Sequence, residues 1–327
     1  MDEITNLRKK LFRYSLFRDT IFSLKKFLAE EKPQKVIVAY SGGKDSTVLL
    51  LITALVLSEI TLPLTIVTVD TLVENPLISQ HIRNFLEKFR KKTKNLFPCE
   101  IKTLKPDLNF SFWVCLIGKG YPLPTPWFRW CQNHLKIKPT RRFLSSLREK
   151  TIFLTGHRME ESVERKRTLR RNGVGKNQLY FSFNQTKQHI PLIHWKETDI
   201  WKFLSLCNQK EVINLYNSAD GSRFGCWVCT LVRKDKTLKS YSRQSSLFKK
   251  LLYFKEWMKE YASKTWNRSG FNRNGKFLGP GKGYLTLQAR REILKKLTML
   301  QDEVKINLIS QSEIKLIKKH WANEQKK

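Results

Sequence analysis

The feature that most constrains this chain is an eight-residue turn, Ala39-Tyr40-Ser41-Gly42-Gly43-Lys44-Asp45-Ser46, set between two apolar segments. Val36 to Tyr40 is short and β-branched, as a buried strand requires. Asp45 to Leu57 is long and apolar enough for a buried helix. Gly42 and Gly43 permit backbone conformations that aim several N–H groups at one point, and Ser41 and Ser46 add hydroxyl donors. A helix starting here adds the positive end of its dipole. The combination predicts an anion cradle suited to a pyrophosphate. It lacks the Gly-x-x-x-x-Gly-Lys-Ser/Thr spacing of a Walker A loop.

Strand and helix signals alternate around this turn. Leu64 to Val69 reads as a second strand and Pro76 to Lys92 as a helix with Ile78, Ile82, Phe85 and Phe89 on one face. Lys138 to Lys150 reads as a helix and Thr151 to Thr155 as a strand, and Ile190 to Ile193 and Thr198 to Leu206 continue the pattern. The fold class this predicts is α/β: a doubly wound parallel sheet with helices on both faces and ligands at the carboxyl ends of the strands. Ahead of it, Ile4, Leu7, Leu11, Tyr14, Phe17, Ile21, Leu24 and Leu28 predict one amphipathic helix over residues 1–32, ended before Pro33. The α/β domain then spans 33–216. Residues 217–327 form a small, basic, Cys-containing region with more Gly and Asn and helices expected over Leu285–Leu300 and Val304–Trp321. Glu59 and Pro63 interrupt the apolar stretch from Thr47 to Val69, which reads as helix, turn and strand rather than as a membrane span. The first thirty residues are charged and helical in pattern, unlike a secretory leader, so a cytoplasmic chain with no membrane partner is expected.

Charge points to the partner. Lys and Arg number 62 against 28 acids, a formal net charge of +34, and residues 231–327 alone carry 24 basic residues against 8 acids. So basic a surface attracts polyanions and releases their counterions, which makes nucleic acid the expected partner. Six basic residues from Arg165 to Lys176 meet no acid, and suit either a phosphate backbone or a solvated charged loop. Trp257, Tyr261, Trp266 and Phe271 lie among Lys and Arg and suit either base stacking or core packing. Cys226 and Cys229 form a CxxC, a pattern of metal or redox sites in a cytosolic chain. Cys99, Cys115 and Cys207 lie in apolar surroundings and are expected to be packed.

Ser-Gly-Gly-Lys-Asp-Ser after a hydrophobic strand resembles the PP-loop of the adenine nucleotide α-hydrolase-like, HUP-type superfamily. That group includes sulfate-assimilation reductases, ATP sulfurylase and tRNA thiolases. The resemblance implies ATP cleaved to AMP and pyrophosphate with adenylation of a substrate oxygen. It implies nucleotide contacts from Ser41, Gly42, Gly43, Lys44, Asp45, Ser46, Asp70 and Gly156, with Lys44, Asp45 and Arg158 catalytic. Asp70 either orients Mg²⁺ or the nucleotide, or caps the following helix. His157 either contacts a phosphate or is hydrogen-bonded locally.

Four further segments narrow the match: Asp70 to Pro76; Gly120 to Thr125 leading into Phe128-Arg129-Trp130-Cys131 and Leu135 to Pro139; Gly156 to Ser162; and Ser222 to Thr230. All four resemble the DndC family of DNA phosphorothioation, with SspD as a related candidate. This implies ATP-dependent sulfur insertion into a nucleic acid, DNA before tRNA. A cysteine desulfurase would be the sulfur donor, and other Dnd- or Ssp-type proteins would be partners. Rival readings are tRNA base thiolation, sulfonucleotide reduction, and a nucleic-acid-binding ATP sensor with a structural metal. The superfamily's reductases use a late nucleophilic Cys, and no Cys follows Cys229 here. By the same resemblance Cys131, Cys226 and Cys229 hold a [4Fe–4S] cluster, with Asp220 standing where the family has a further Cys or that iron left open. Zinc on the same Cys, and metal-free thiols, are the alternatives.

Overall fold

The structure is a computed structural model that describes residues 2–161, 167, 179–183, 186–218, 224–232, 235–272 and 274–325. The chain divides into two compact units of interleaved segments. Met1–Val69, Pro76–Leu104 and Arg141–Asn217 form the first; Asp70–Asn75, Lys105–Thr140 and Ser218–Lys327 form the second.

The first unit is built on a six-stranded sheet of order β3-β2-β1-β4-β6-β5, with β1 Lys35–Ala39, β2 Leu64–Val69, β3 Cys99–Leu104, β4 Thr151–Leu154, β5 Leu179–Phe183 and β6 Thr186–His189. All neighbours pair in parallel except β5, which runs antiparallel to β6 at one edge. Val36, Ile37 and Val38 of the central strand are all fully buried, so both faces of the sheet are covered, as a doubly wound α/β fold requires. The helix α3, Lys44–Ile60, is apolar on nearly every side and correspondingly buried. With Pro63 and β2 it accounts for the long apolar stretch, and among the described residues no helix is long and apolar enough to cross a membrane.

Three elements differ from the sequence expectation. The N-terminal helix is two: α1 Asp2–Phe12 and α2 Ser15–Glu31. Tyr14 is extended between them, and the break lets Arg8 reach Glu59 and the Leu55 carbonyl on α3. The apolar spacing runs unbroken through Leu11, Tyr14 and Phe17, so period alone hides it. The strand expected at Ile190–Ile193 lies at β6; Ile190 to Ile193 is turned chain in which buried Ile190 and Ile193 pack with Met159. Strand β3 escapes a hydropathy reading because it is an edge strand bearing Glu100 and Lys102.

In the second unit the apolar run Phe112–Ile117 is fully enclosed. It is held by residues from the far end of the chain: Trp113 Nε1 donates to Leu308 O at 2.8 Å, Ser111 Oγ to Glu313 at 2.7 Å, and buried Arg290 to Gly118 O at 2.9 Å. Arg290 and Glu313 stand on the helices Leu287–Val304 and Gln311–Gln325, and Leu308 on the chain between them. That packing explains why a segment from mid-sequence folds with the C-terminal residues.

Candidate functional site

The phosphate loop belongs to the first unit. Gly42 has φ +75°, and a Cβ there would lie 2.6 Å from Ile82 Cγ1. Gly43 is the N-cap of α3; its carbonyl accepts from Ser46 Oγ at 3.0 Å and Thr47 Oγ1 at 2.9 Å. Ser41 N–H donates to Ser46 Oγ at 3.2 Å, closing the loop on itself. Gly156 is the site of close approach: a Cβ would meet the Asp45 carbonyl at 3.1 Å and the Ser46 nitrogen at 3.4 Å. Strand β1 thus delivers a glycine turn to a helix N-terminus, which favours an anion by about 0.3–1 kcal/mol at an exposed site and up to ~2 when partly buried.

The charged residues around the loop are mutually committed. Arg158, 2% exposed, donates through Nε to Asp45 Oδ1 and through Nη1 to the Trp195 carbonyl at 3.3 Å. Lys44, 5% exposed, has its ammonium 3.3 Å from Glu197 and 3.6 Å from Asp45, over the rings of Tyr216 and Trp201. The Lys44 N–H donates to the Tyr216 hydroxyl at 3.2 Å. Tyr216 carried no signal in the sequence. His157 Nδ1 lies 3.3 Å from Thr155 Oγ1, a local contact.

The sulfur site belongs to the second unit. Trp227 and Val228 make a tight turn closed by Cys229 N–H to Cys226 O at 3.0 Å. Cys226 bridges to Glu74, and Trp227 N–H donates to Val73 O at 3.2 Å, so the CxxC is strapped to the 70–75 segment. Trp227, Trp113 and Phe254 pack behind it with ring centroids 5.9 to 6.3 Å apart. Cys131 sits on the single turn Trp130–Gln132, followed by a wide turn, Asn133–Ile137, in which Lys138 N–H bonds Asn133 O. Cys131 precedes this wide turn and Lys136 lies within it. Both line one cavity of about 220 Å³ with Cys226 and Cys229.

The electrostatics of this cavity are set by Glu74 and Lys136. Burial, then the Glu74 carboxylate, pushes the Cys226 thiol up to about 12. Burial, then Cys229, raises Cys131. Desolvation of its inner side opposes charge on Lys136, whose side chain is half exposed, yet Glu74 and the three sulfurs together raise it above the usual lysine range. Thr71 Oγ1 lies 3.0 Å from Glu74 Oε1 and 3.3 Å from Cys226 Sγ. Glu74 and Lys136 lay inside recognised motifs, but nothing in their spacing assigned them a role. Asp70 accepts from Leu72 N–H at 2.9 Å and fixes the loop that carries Glu74.

Zinc holds each ligand sulfur at about 2.3 Å. Among the described residues no three His, Cys, Asp or Glu side chains are gathered to hold one metal ion. Three thiols lining one cavity are a donor set that an iron–sulfur group takes, and zinc takes the same sulfurs. Asp220 and most of the basic stretch from Arg165 to Lys176 lie outside the described residues. Cys115 and Cys207 are buried, and Cys99 is half-buried on β3. Of the aromatics singled out, Trp257 and Tyr261 stack on each other at 5.0 Å, whereas Trp266 and Phe271 are exposed.

Comparison with known proteins gives three findings. The family model of the phosphoadenosine phosphosulfate reductase domain matches residues 35–232. Two uncharacterized proteins of Methanocaldococcus jannaschii are each 26% identical: MJ0973 over 76% of this chain and 53% of its own length, MJ0066 over 72% and 44%. The chain thus spans about half the length of the curated relatives it matches. Among solved structures, the U34-tRNA thiolase NcsA from Methanococcus maripaludis with its [4Fe-4S] cluster aligns over 75% of this chain and 80% of its own, at 14% identity and a TM-score of 0.39.

Proposed function

This chain belongs to the phosphoadenosine phosphosulfate reductase domain family, and we propose that it uses ATP to activate an oxygen of a nucleic acid for replacement by sulfur. DNA backbone phosphorothioation is the specific form we propose, on the motifs shared with the DndC family. The observation carrying this reading is the meeting of Cys131, Cys226 and Cys229 around one cavity, in a chain that also carries a phosphate loop.

In the proposed reaction the terminal phosphates of ATP, with Mg²⁺ as counter-ion, lie on the Ser41–Ser46 turn. The N-terminus of α3 faces the charge that grows on them. A non-bridging phosphate oxygen of the nucleic acid attacks the α-phosphorus, and pyrophosphate leaves. Sulfide then displaces AMP, forming a P–S bond as the P–O bond to AMP breaks. Arg158 holds Asp45, and Asp45 with Glu197 holds the Lys44 ammonium, so the cation at the loop has a fixed position. Cys131, Cys226 and Cys229 would hold a [4Fe–4S] group, whose chemistry is to present inorganic sulfur at an iron that no cysteine occupies. A cysteine desulfurase is the proposed sulfur source, and other Dnd- or Ssp-type proteins the proposed partners.

The test combines loading with product analysis. Anaerobically purified protein should contain about four iron and four sulfide, and Cys131→Ser, Cys226→Ser and Cys229→Ser should each lose most of both. ATP–pyrophosphate exchange should require added nucleic acid. Mass spectrometry of DNA dinucleotides from a host with and without the gene should show the phosphorothioate only with it. Thiolated nucleosides in RNA instead would move the target to tRNA bases. Wild-type protein that binds zinc alone and shows no exchange would overturn the scheme.

A further inference from the structure

The loop that delivers Cys131 also holds an aromatic side chain that the sulfur chemistry does not use. Thr125 and Phe128 close a tight hairpin: Phe128 N–H donates to Thr125 O at 3.0 Å, and Thr125 N–H donates back at 3.3 Å. Pro126 and Trp127 form its tip. The ring of Pro126 fixes φ, and its carbonyl accepts from Arg129 Nε at 2.9 Å. Both ends of the hairpin are tied to the sulfur cavity. Pro124 lines it and accepts from Thr230 Oγ1 at 2.7 Å, and Cys131 lines it from the other side. On this braced tip Trp127 is 97% exposed, with Phe128 48% exposed beside it.

A single apolar residue in water is ordinary. A tryptophan whose backbone is held by a proline turn, cross-bonded on both strands, presents its indole from a preorganised main chain, which lowers the ordering cost of binding. Charge identifies the occupant. Residues 125–129 contain no acid and include Arg129, the same unit carries Lys119 and Lys138 over the Phe110 ring at 3.7 and 5.1 Å, and the chain has a net charge of +34. An exposed aromatic on a hairpin that also carries Arg129, in a unit rich in lysine and arginine, matches a base stacked above a phosphate backbone. The sulfur cavity is four residues away, at most about 14 Å of extended chain.

We propose that Trp127 is a stacking platform for an unpaired base of single-stranded DNA, holding the strand beside the sulfur cavity. The identity of the strand rests on the functional reading above; the platform itself rests on the hairpin. A stacked duplex offers no free base face, so the platform selects unpaired or extruded nucleotides.

Fluorescence anisotropy with labelled single-stranded DNA, RNA of the same sequence and duplex DNA tests this on the full chain. Trp127→Ala should weaken single-stranded DNA binding by about 5- to 150-fold and leave duplex binding unchanged. Its melting temperature should not move, since the side chain touches little. Trp127→Phe should recover most of the affinity, and an abasic strand should bind wild type and Trp127→Ala alike. The slope of log affinity against log salt should be the same for both, because no charge is removed. Equal losses on duplex and single strand, or a loss on RNA alone, would overturn the assignment. So would affinities that Trp127→Ala leaves intact on every nucleic acid, which would make the tip a protein-docking surface. If the wild-type chain binds no nucleic acid at all, the functional reading fails with the platform; if it binds and Trp127 makes no difference, only the platform fails.

Discussion

Gly42 and Gly43 are adjacent and identical in the motif, yet their backbones make opposite demands. Gly42 lies in the left-handed region, where an L side chain costs about 1–2 kcal/mol, and its missing Cβ leaves room for Ile82. Gly43 has φ −84°, open to any residue, and a Cβ there would meet only side-chain hydroxyls, Tyr216 at 3.3 Å and Ser41 at 3.5 Å. Gly42→Ala should therefore lose about 2–3 kcal/mol of stability in urea titration and most ATP binding by calorimetry. Gly43→Ala should lose under about 1 kcal/mol and keep measurable ATP affinity. Equal effects would mean the loop is not shaped by Gly42. The turn itself was legible because its glycines and hydroxyls sit within six residues. The commitments of its charges were not: Arg158 and Asp45 are 113 positions apart, and Tyr216 is 172 from Lys44. The three sulfur positions were legible from local motifs, whereas Glu74, reached only through its bridge to Cys226, needed the fold.

At the scale of elements, central strands and the buried helix were readable because covering both faces demands continuous apolar runs, as in Val36–Val38. Edges were not, because β3 alternates charged and apolar residues and β5 reverses direction. One junction between elements depends on pH. Glu31 ends α2, where the helix dipole disfavours a carboxylate. It stays because Lys187 on β6 donates to both its oxygens at 2.8 Å and Lys150 lies 3.6 Å away. The Lys187 hydrogen bond, against some burial, holds Glu31 below the usual carboxylate range. A depressed carboxylate contributes stability above its unfolded value near 4.5 and loses it as pH falls through its folded value. Glu31→Gln should therefore be less stable than wild type by about 1 kcal/mol at pH 7. In melts taken down the pH scale, that gap should close below pH 4.5. A gap that persists unchanged at pH 3 would show that packing, not the ion pairs, holds this junction.

Over the whole molecule the decisive quantity is surplus charge. Even if each of the 28 acids neutralised one basic group, 62 − 28 = 34 would remain. Several acids are already committed inside the fold, as in Lys255–Asp235 and Arg290–Glu324. The surplus has two consequences of opposite sign in salt. Self-repulsion destabilises the compact state, and salt screens it, with a Debye length of about 10 Å at 0.1 M and 3 Å at 1 M. Nucleic-acid binding gains from counterion release, which salt opposes, with a slope of about −0.7 per phosphate neutralised on a single strand. One sodium chloride series should therefore raise the melting temperature of the free chain while lowering its affinity for single-stranded DNA, with a log–log slope steeper than about −3 for five or more phosphate contacts. A rising melting temperature with a flat binding slope would mean that the excess lysine and arginine only solvate the surface. In that case the interaction with nucleic acid would fall to the aromatic tip at Trp127 and the loop around it.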